Sequence, residues 1–227
     1  MPSPTDRERL AAVQRELAEW LAGDRAAPFV AETGEGFCID RAVAPALGGS
    51  LRMLWRWLLV SLGDHAPGCP FKVFFYRLAG AKIGRDVCIA PGVILDPLAP
   101  QLVELEDGCL LGMGARLIAH EYTATSFRLG RIRVRPGAVV GGFSTVRSGV
   151  TVGERATIGF NSFVNRDVAP GDTVAGVPAR SLQRPEGSGS LVPGSEFRVE
   201  EHRDGPAAMP SDSEPGTRNS EPGTRVS

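Results

Sequence analysis

The chain has 227 residues, 25 Lys and Arg against 26 Asp and Glu, and a formal net charge of −1. That balance excludes a global basic field that would gather nucleic acid or acidic membrane. The length allows one large domain or two small ones around a core of useful size.

Residues 4–22 read as an amphipathic helix, with Leu10, Val13, Leu17 and Leu21 on one stripe and Thr5 as its N-cap. The charged start, 1–22, lacks the apolar stretch of a secretory signal. Gly23 and Pro28 end the helix, and a loose stretch with Gly34, Gly36, Pro45 and Gly48 follows. Ser50 caps a second helix over 51–62, bearing Trp55 and Trp57. This is the most apolar run, but it carries Arg52 and Arg56 and is too short to span a bilayer. A third helix, 71–78, ends at Gly80 as a C-cap. Residues 1–80 therefore form a helical N-terminal region. Its apolar stripes are expected to cover the end of the segment beyond Gly80 or a neighbouring subunit rather than a membrane.

From Ile83 an aliphatic residue returns every sixth position: Ile83, Ile89, Leu95; Leu105, Leu111, Leu117; Val134, Val140, Val146, Val152, Ile158, Val164. The fifth position is mostly small or β-branched, as at Ala115, Ala138, Ser144 and Ala156, and Glu121 is out of character there. A six-residue period is neither the helical 3.6 nor the strand alternation of 2. It predicts a mainly β solenoid over 81–183 whose flat faces are short strands, each pointing one residue inward. Gly84, Gly112, Gly141, Gly153 and Gly159 are expected at its corners, where positive φ is needed. The count loses phase at 97–103 and at 121–131, and insertions in repeat proteins gather on one side, often the binding side. Cys109 sits at an inward position and behaves as a small apolar group. The segment 184–227 is rich in Pro, Gly, Ser and Glu, with Ser-Glu-Pro-Gly-Thr-Arg twice, and is expected to be a disordered tail.

Gly-Ala-Lys-Ile-Gly at 80–84, Leu-Asp-Pro-Leu at 95–98, Ala-His-Glu-Tyr at 119–122, the run at 150–159 and the closing Ala-Gly-Val-Pro-Ala-Arg at 175–180 resemble the hexapeptide-repeat acyltransferases. These include maltose and galactoside O-acetyltransferases and those of exopolysaccharide assembly. The resemblance implies a left-handed parallel β-helix of triangular section, against the right-handed bias of ordinary crossovers. It implies a homotrimer with acyl-CoA in the cleft between two subunits. The implied activity is transfer of an acetyl group from acetyl-CoA, a co-substrate rather than a bound cofactor, to a hydroxyl of a sugar or related small molecule, or to an amine.

Acyl transfer from a thioester needs a base of near-neutral pKa, which points to histidine. Of His65, His120 and His202, only His120 lies at a repeat break. Glu121 either orients the imidazole or is solvated. Asp96 either bonds the acceptor hydroxyl or serves the turn before Pro97. By the resemblance, Gly142 matches an oxyanion donor, Gly159 and Phe160 the pair lining the pantetheine arm, and Asn165, Arg166 and Arg180 positions near the phosphates. Phe160 departs from the usual alanine. The alternative for Arg166 and Arg180 is a solvated surface charge.

The cysteines Cys38, Cys69, Cys88 and Cys109 show no metal spacing, and with one solenoid histidine a three-histidine zinc site is unavailable. Reduced thiols point to a cytoplasmic protein. The N-terminal region has no Gly-rich nucleotide loop. The competing class is a non-catalytic β-helix scaffold.

Overall fold

The computed structural model describes residues 4–32, 43, 45–123 and 125–182. The expected tail, 184–227, lies outside the described residues.

Helix α1 (Pro4–Ala22) buries the expected stripe, with Leu17 fully covered and Leu10, Val13 and Leu21 partly so. It already includes Pro4, so Thr5 lies inside the helix and is not its cap. Where the sequence suggested only a loose stretch, strand β1 (Phe29–Glu32) forms, with Phe29 and Ala31 inward. Helix α2 (Ser50–His65) is capped by the Gly49 backbone without a side-chain bond, so Ser50 opens the helix rather than capping it. Helix α3 (Cys69–Ala79) begins with Pro70 in its first turn and ends at Gly80, whose φ of 110° and N–H bonds to the Tyr76 and Arg77 carbonyls make the expected C-cap.

The two helices are tied by polar groups that each satisfy an otherwise orphaned partner. The buried Lys72 ammonium donates to the carbonyls of Gly63 at 3.2 Å and Asp64 at 2.9 Å, at the end of α2. That places a cation where a helix dipole favours one. The Tyr76 hydroxyl, fully covered, donates to Asp64 Oδ1 at 2.6 Å. Burial pushes the Asp64 carboxyl above its ordinary range, and burial together with Asp64 pushes the Tyr76 phenol up. Helix α3 lies against the first coil of the solenoid and closes its end.

The coil has three faces. Face one stacks β2 (Lys82–Ile83), β5 (Val103–Leu105), β10 (Ile132–Val134) and β13 (Thr151–Val152). Face two stacks β3 (Cys88–Ile89), β6 (Leu110–Leu111), β11 (Val139–Val140), β14 (Thr157–Ile158) and β16 (Thr173–Ala175), then an antiparallel β17 (Arg180–Ser181). Face three stacks β4 (Ile94–Leu95), β7 (Arg116–Leu117), β12 (Thr145–Val146) and β15 (Phe163–Val164). Apart from β17 the pairs are parallel, and the six-residue set falls in register: Ile83 with Leu105, Val134 and Val152; Ile89 with Leu111, Val140 and Ile158; Leu95 with Leu117, Val146 and Val164. This is a parallel β-helix, and its ladders are the core.

The inward small position is filled as expected except at Glu121. Ser144 and Ser162 are buried but satisfied: Ser144 Oγ donates to the Gly159 carbonyl at 2.7 Å and accepts from the Ser162 N–H at 3.0 Å. Burial pushes the Cys109 thiol up to about 11, so it stays protonated and packs as a small group. Cys69, Cys88 and Cys109 are all free thiols.

The glycines at the corners have a different cause from the expected one. Positive φ falls two residues later than those positions, at the third residue after an aliphatic rung. It occurs at Gly92, Gly108, Gly114, Gly137, Gly149 and Gly171, and also at Asp86, Phe143, Arg155 and Asn161. None of Gly84, Gly112, Gly141, Gly153 and Gly159 has positive φ. Space excludes a side chain there: a Cβ on Gly112 would meet the Gly142 backbone nitrogen of the next coil at 2.6 Å.

That distinction is measurable by chemical denaturation. Gly112→Ala forces two coils apart and is expected to cost about 3 kcal/mol, the upper part of the usual overpacking range. Gly171 has φ +70° and open space within 4 Å of where a Cβ would stand. Its change to alanine should cost only the left-handed penalty of about 1 kcal/mol. Equal losses at the two positions would contradict the stacking explanation.

Candidate active site

Both breaks in the repeat open at the corner between face three and face one. The first leaves β4 at Asp96 and runs through Pro97 and Leu98 into a short 3-10 turn (Pro100–Leu102), in which Pro100 and Leu102 are buried. The second leaves β7 and becomes a hairpin, β8 (His120–Tyr122) with β9 (Ser126–Leu129). Strand β1 adds to its far side, Phe29 opposite Leu129, so the excursion is a three-stranded antiparallel sheet rather than a loose loop. Phe127 and Leu129 are its buried anchors.

Asp96 joins the two breaks. It is completely buried, and its carboxylate accepts only from N–H donors. Oδ1 takes the N–H groups of Leu98 at 2.9 Å and Ala99 at 3.1 Å. Oδ2 takes those of Ala119 at 2.7 Å and His120 at 2.9 Å, and also His120 Nδ1 at 2.6 Å. A carboxylate can only accept, so Nδ1 carries a proton, and in the neutral ring the lone pair is therefore on Nε2. The turn role expected of Asp96 is present. The alternative, a bond from Asp96 to an acceptor hydroxyl, is corrected: the carboxylate is sealed from solvent and occupied by five donors. It holds the imidazole instead.

Glu121 is the second correction. As a neighbour on the strand it points away from the imidazole, and it is engaged by Arg147 through Nε at 2.8–2.9 Å and through the guanidinium in an ion pair at 2.8 Å. Ser148 Oγ also donates to it, and Arg128 lies at 3.9 Å. Glu121 fastens the hairpin to the next coil: it does not point inward, and its carboxylate is held in ion pairs rather than left free in solvent.

The imidazole, 22% exposed, borders a cavity of about 350 Å³. Its walls come from three places: Met53, Leu54 and Trp57 of α2, Pro97 and Leu98 of the first break, and His120 with Tyr122 of the hairpin. The Tyr122 ring meets the imidazole edge-on at 5.1 Å between centroids. Sequence patterning does not reveal this cavity. Its only trace there is the apolar surface of α2, too wide for one buried stripe and expected to act as a cover.

The remaining candidates fall at two corners. Asn165 and Arg166 follow β15 and so share the His120 corner, two coils on; Asn165 Oδ1 is buried with no hydrogen-bond partner among the described residues, and Arg166 is exposed. Gly142, Gly159 and Phe160 lie at the corner between faces two and three, and Arg180 sits beside them, paired with Ala175 on the last strand. A Cβ on Gly159 would meet the Ala175 Cβ at 2.8 Å, and one on Gly142 would meet the Phe160 ring at 2.7 Å. Phe160 is 75% exposed and lies over Gly142. The width of face three separates these corners, roughly 15 Å at about 3.3 Å per residue. One chain therefore brings Asp96 and His120 together and leaves Gly142, Gly159, Phe160 and Arg180 at the far edge. Among the described residues no group of three or more His, Cys, Asp or Glu could hold a metal ion, and no helix is long and apolar enough to cross a membrane.

No family model matches the chain. It is 24% identical over 137 residues, 60% of its own length and 80% of the other's, to YvoF of Bacillus subtilis (strain 168), which carries an acetyltransferase name. Among solved structures it is similar to the hexapeptide-repeat acetyltransferase VCA0836 of Vibrio cholerae O1 biovar eltor, complexed with acetyl coenzyme A. That match has a TM-score of 0.50 and 22% identity, over 66% of this chain and 93% of that one. A maltose O-acetyltransferase from Clostridium difficile 630 matches with a TM-score of 0.50 and 13% identity, over 60% and 87%. The shared fold is the parallel β-helix, and in sequence and architecture the chain resembles the hexapeptide-repeat acetyltransferases.

Proposed function

We propose that the protein is an acyl-CoA-dependent acyltransferase that moves an acetyl group from acetyl-CoA to a hydroxyl or amine, with His120 as general base. The observation that carries this reading is the buried Asp96 carboxylate bound to Nδ1 of His120, whose imidazole lines a cavity. The four backbone N–H bonds to Asp96 would serve a scaffold equally; the fifth, which orients an imidazole beside a cavity, is the one a scaffold does not need. The acetyltransferase name of the Bacillus relative and the acetyl coenzyme A in the Vibrio structure support the choice of donor.

In this mechanism Nε2 takes the proton of the acceptor as its oxygen or nitrogen forms a bond to the thioester carbonyl carbon. The imidazolium that results is stabilised by Asp96, which also fixes the ring orientation. The tetrahedral intermediate collapses with cleavage of the carbon–sulfur bond, and the proton passes from Nε2 to the departing thiolate, giving free CoA. Gly142 supplies an N–H to the oxyanion. Because Gly142 and His120 lie at opposite edges of face three, the complete site takes the two corners from two copies, which supports a homotrimer. The second corner has the surface for it: Met113, Phe143, Phe160 and Val177 are each more than half exposed. Arg180 then contacts a phosphate of the nucleotide.

His120→Ala should lower kcat by about two to four orders of magnitude in a thiol-release assay, with the circular dichroism spectrum and acetyl-CoA binding unchanged. Asp96→Asn turns an NH₂ toward N–H donors and should lower kcat with little change in KM for acetyl-CoA; near-normal turnover in either variant removes the assigned base. Light scattering should give a trimer, and a stable monomer at assay concentration would contradict the shared site. Arg180→Glu should raise KM for acetyl-CoA about tenfold or more with kcat nearly kept, because a phosphate contact binds ground and transition states alike. The effect should weaken as salt rises, and an unchanged KM at low ionic strength would make Arg180 an ordinary surface charge.

A further inference from the structure

We infer that the acceptor is an alcohol or amine on an apolar skeleton, not a free sugar, and that it binds in the cavity between α2 and the hairpin. This rests on the acyltransferase reading and names the substrate class of the same site. The cavity, about 350 Å³, is at the small end of the usual range for small-molecule sites, roughly 300–1,000 Å³. It is lined by Pro97 and Leu98 of the first break and by Met53, Leu54 and Trp57 of α2, and its polar groups are the imidazole and the Tyr122 side chain.

A monosaccharide has four or five hydroxyls, each requiring a partner. Here one meets Nε2 as the reacting group, Tyr122 can serve at most one more, and the apolar walls offer nothing to the rest. Burying an unpartnered hydroxyl weakens binding roughly five- to a hundredfold per group, so a sugar is rejected by several such factors together. An alcohol with one hydroxyl on a hydrocarbon or aromatic body has the opposite balance. Its body covers the indole of Trp57 and the side chain of Leu54, 54% and 60% exposed without it, while its hydroxyl reaches the base. The wall comes from α2, outside the repeat, so this specificity belongs to the helical region and not to the β-helix shared with sugar-modifying relatives.

The test uses the full chain, acetyl-CoA and matched acceptors: cyclohexylmethanol and 2-phenylethanol, decanol in phosphatidylcholine vesicles, and glucose, galactose and maltose. Thiol release should be at least a hundredfold faster, as kcat/KM, with the apolar alcohols than with the sugars. Reaction with the soluble alcohols, or with decanol in vesicles alone, supports the inference either way and separates a free acceptor from a membrane-held one. Trp57→Gln should raise KM for the apolar alcohol about tenfold or more, the worth of one apolar wall, and leave KM for acetyl-CoA unchanged. A separate readout needs no turnover: with Trp20 and Trp55 changed to Phe, Trp57 is the sole tryptophan, and its fluorescence should respond to 2-phenylethanol and not to glucose. Sugars used as well as the alcohols, or a Trp57 signal given by glucose alone, overturn the apolar acceptor while the acyltransferase reading stands. No acetyl-CoA binding by calorimetry overturns the acyltransferase reading, and the acceptor assignment falls with it.

Discussion

Coils of a β-helix stack at about 4.8 Å, and that spacing governs nearly everything else in this chain. It leaves an interior so narrow that each six-residue unit admits one branched aliphatic and one small residue. It brings corner backbones so close that a methyl group on Gly112 has no place. It also leaves the chain no freedom within a face. Departures from the repeat are possible only at corners, and both departures here use the corner between faces three and one. The site stands there because that is where the stack tolerates inserted chain.

Placing two insertions one above the other leaves backbone N–H groups without coil partners, and a buried orphan donor is costly. Asp96 answers that need for four of them at once, two in each break. The same carboxylate holds the His120 ring. Positioning of the imidazole is therefore built into the structural solution of the corner, and the ring cannot turn without disturbing a group that both breaks depend on. Glu121 does the complementary work on the outer side, binding the hairpin to Arg147 and Ser148 of the next coil. Strand alternation sends the two neighbours, His120 and Glu121, to these separate tasks.

The repeat was legible because one constraint, stacking, acts on every sixth residue; between the two breaks and on either side of them the ladders from Ile83 to Val164 follow the sequence period. His120 stood out as the candidate base because the period broke beside the one histidine in the coil. Less could be read where the structure depends on contacts distant in sequence. Residues 29–32 become a strand only by pairing with β9, nearly a hundred residues on, and nothing local marks them. The part played by Asp96 was ambiguous because an aspartate before proline already has a local explanation, and its bonds to Ala119 and His120 close across a full coil. The glycine positions were correctly placed but wrongly explained: a tight approach and a positive φ both demand glycine, and sequence alone does not separate them. The cavity was invisible because its walls come from three segments that no period connects.

The residues that stack least well point the same way as the site. Glycine holds the left-handed position at Gly92, Gly108, Gly114, Gly137 and Gly149, yet at φ 58° the chain has Phe143. A bulky side chain there costs about 1–2 kcal/mol, and the ring is more than half exposed, so burial within the chain offsets little of it. Phe143 adjoins Gly142, and Phe160 lies over that glycine from the coil above. Strain of this kind persists where something other than the stability of the isolated coil requires it. An apolar wall on a corner is of no use to a single copy. It has a use when a second copy or the arm of an acyl donor lies against it, the arrangement that the roles proposed for Gly142 and His120 also call for.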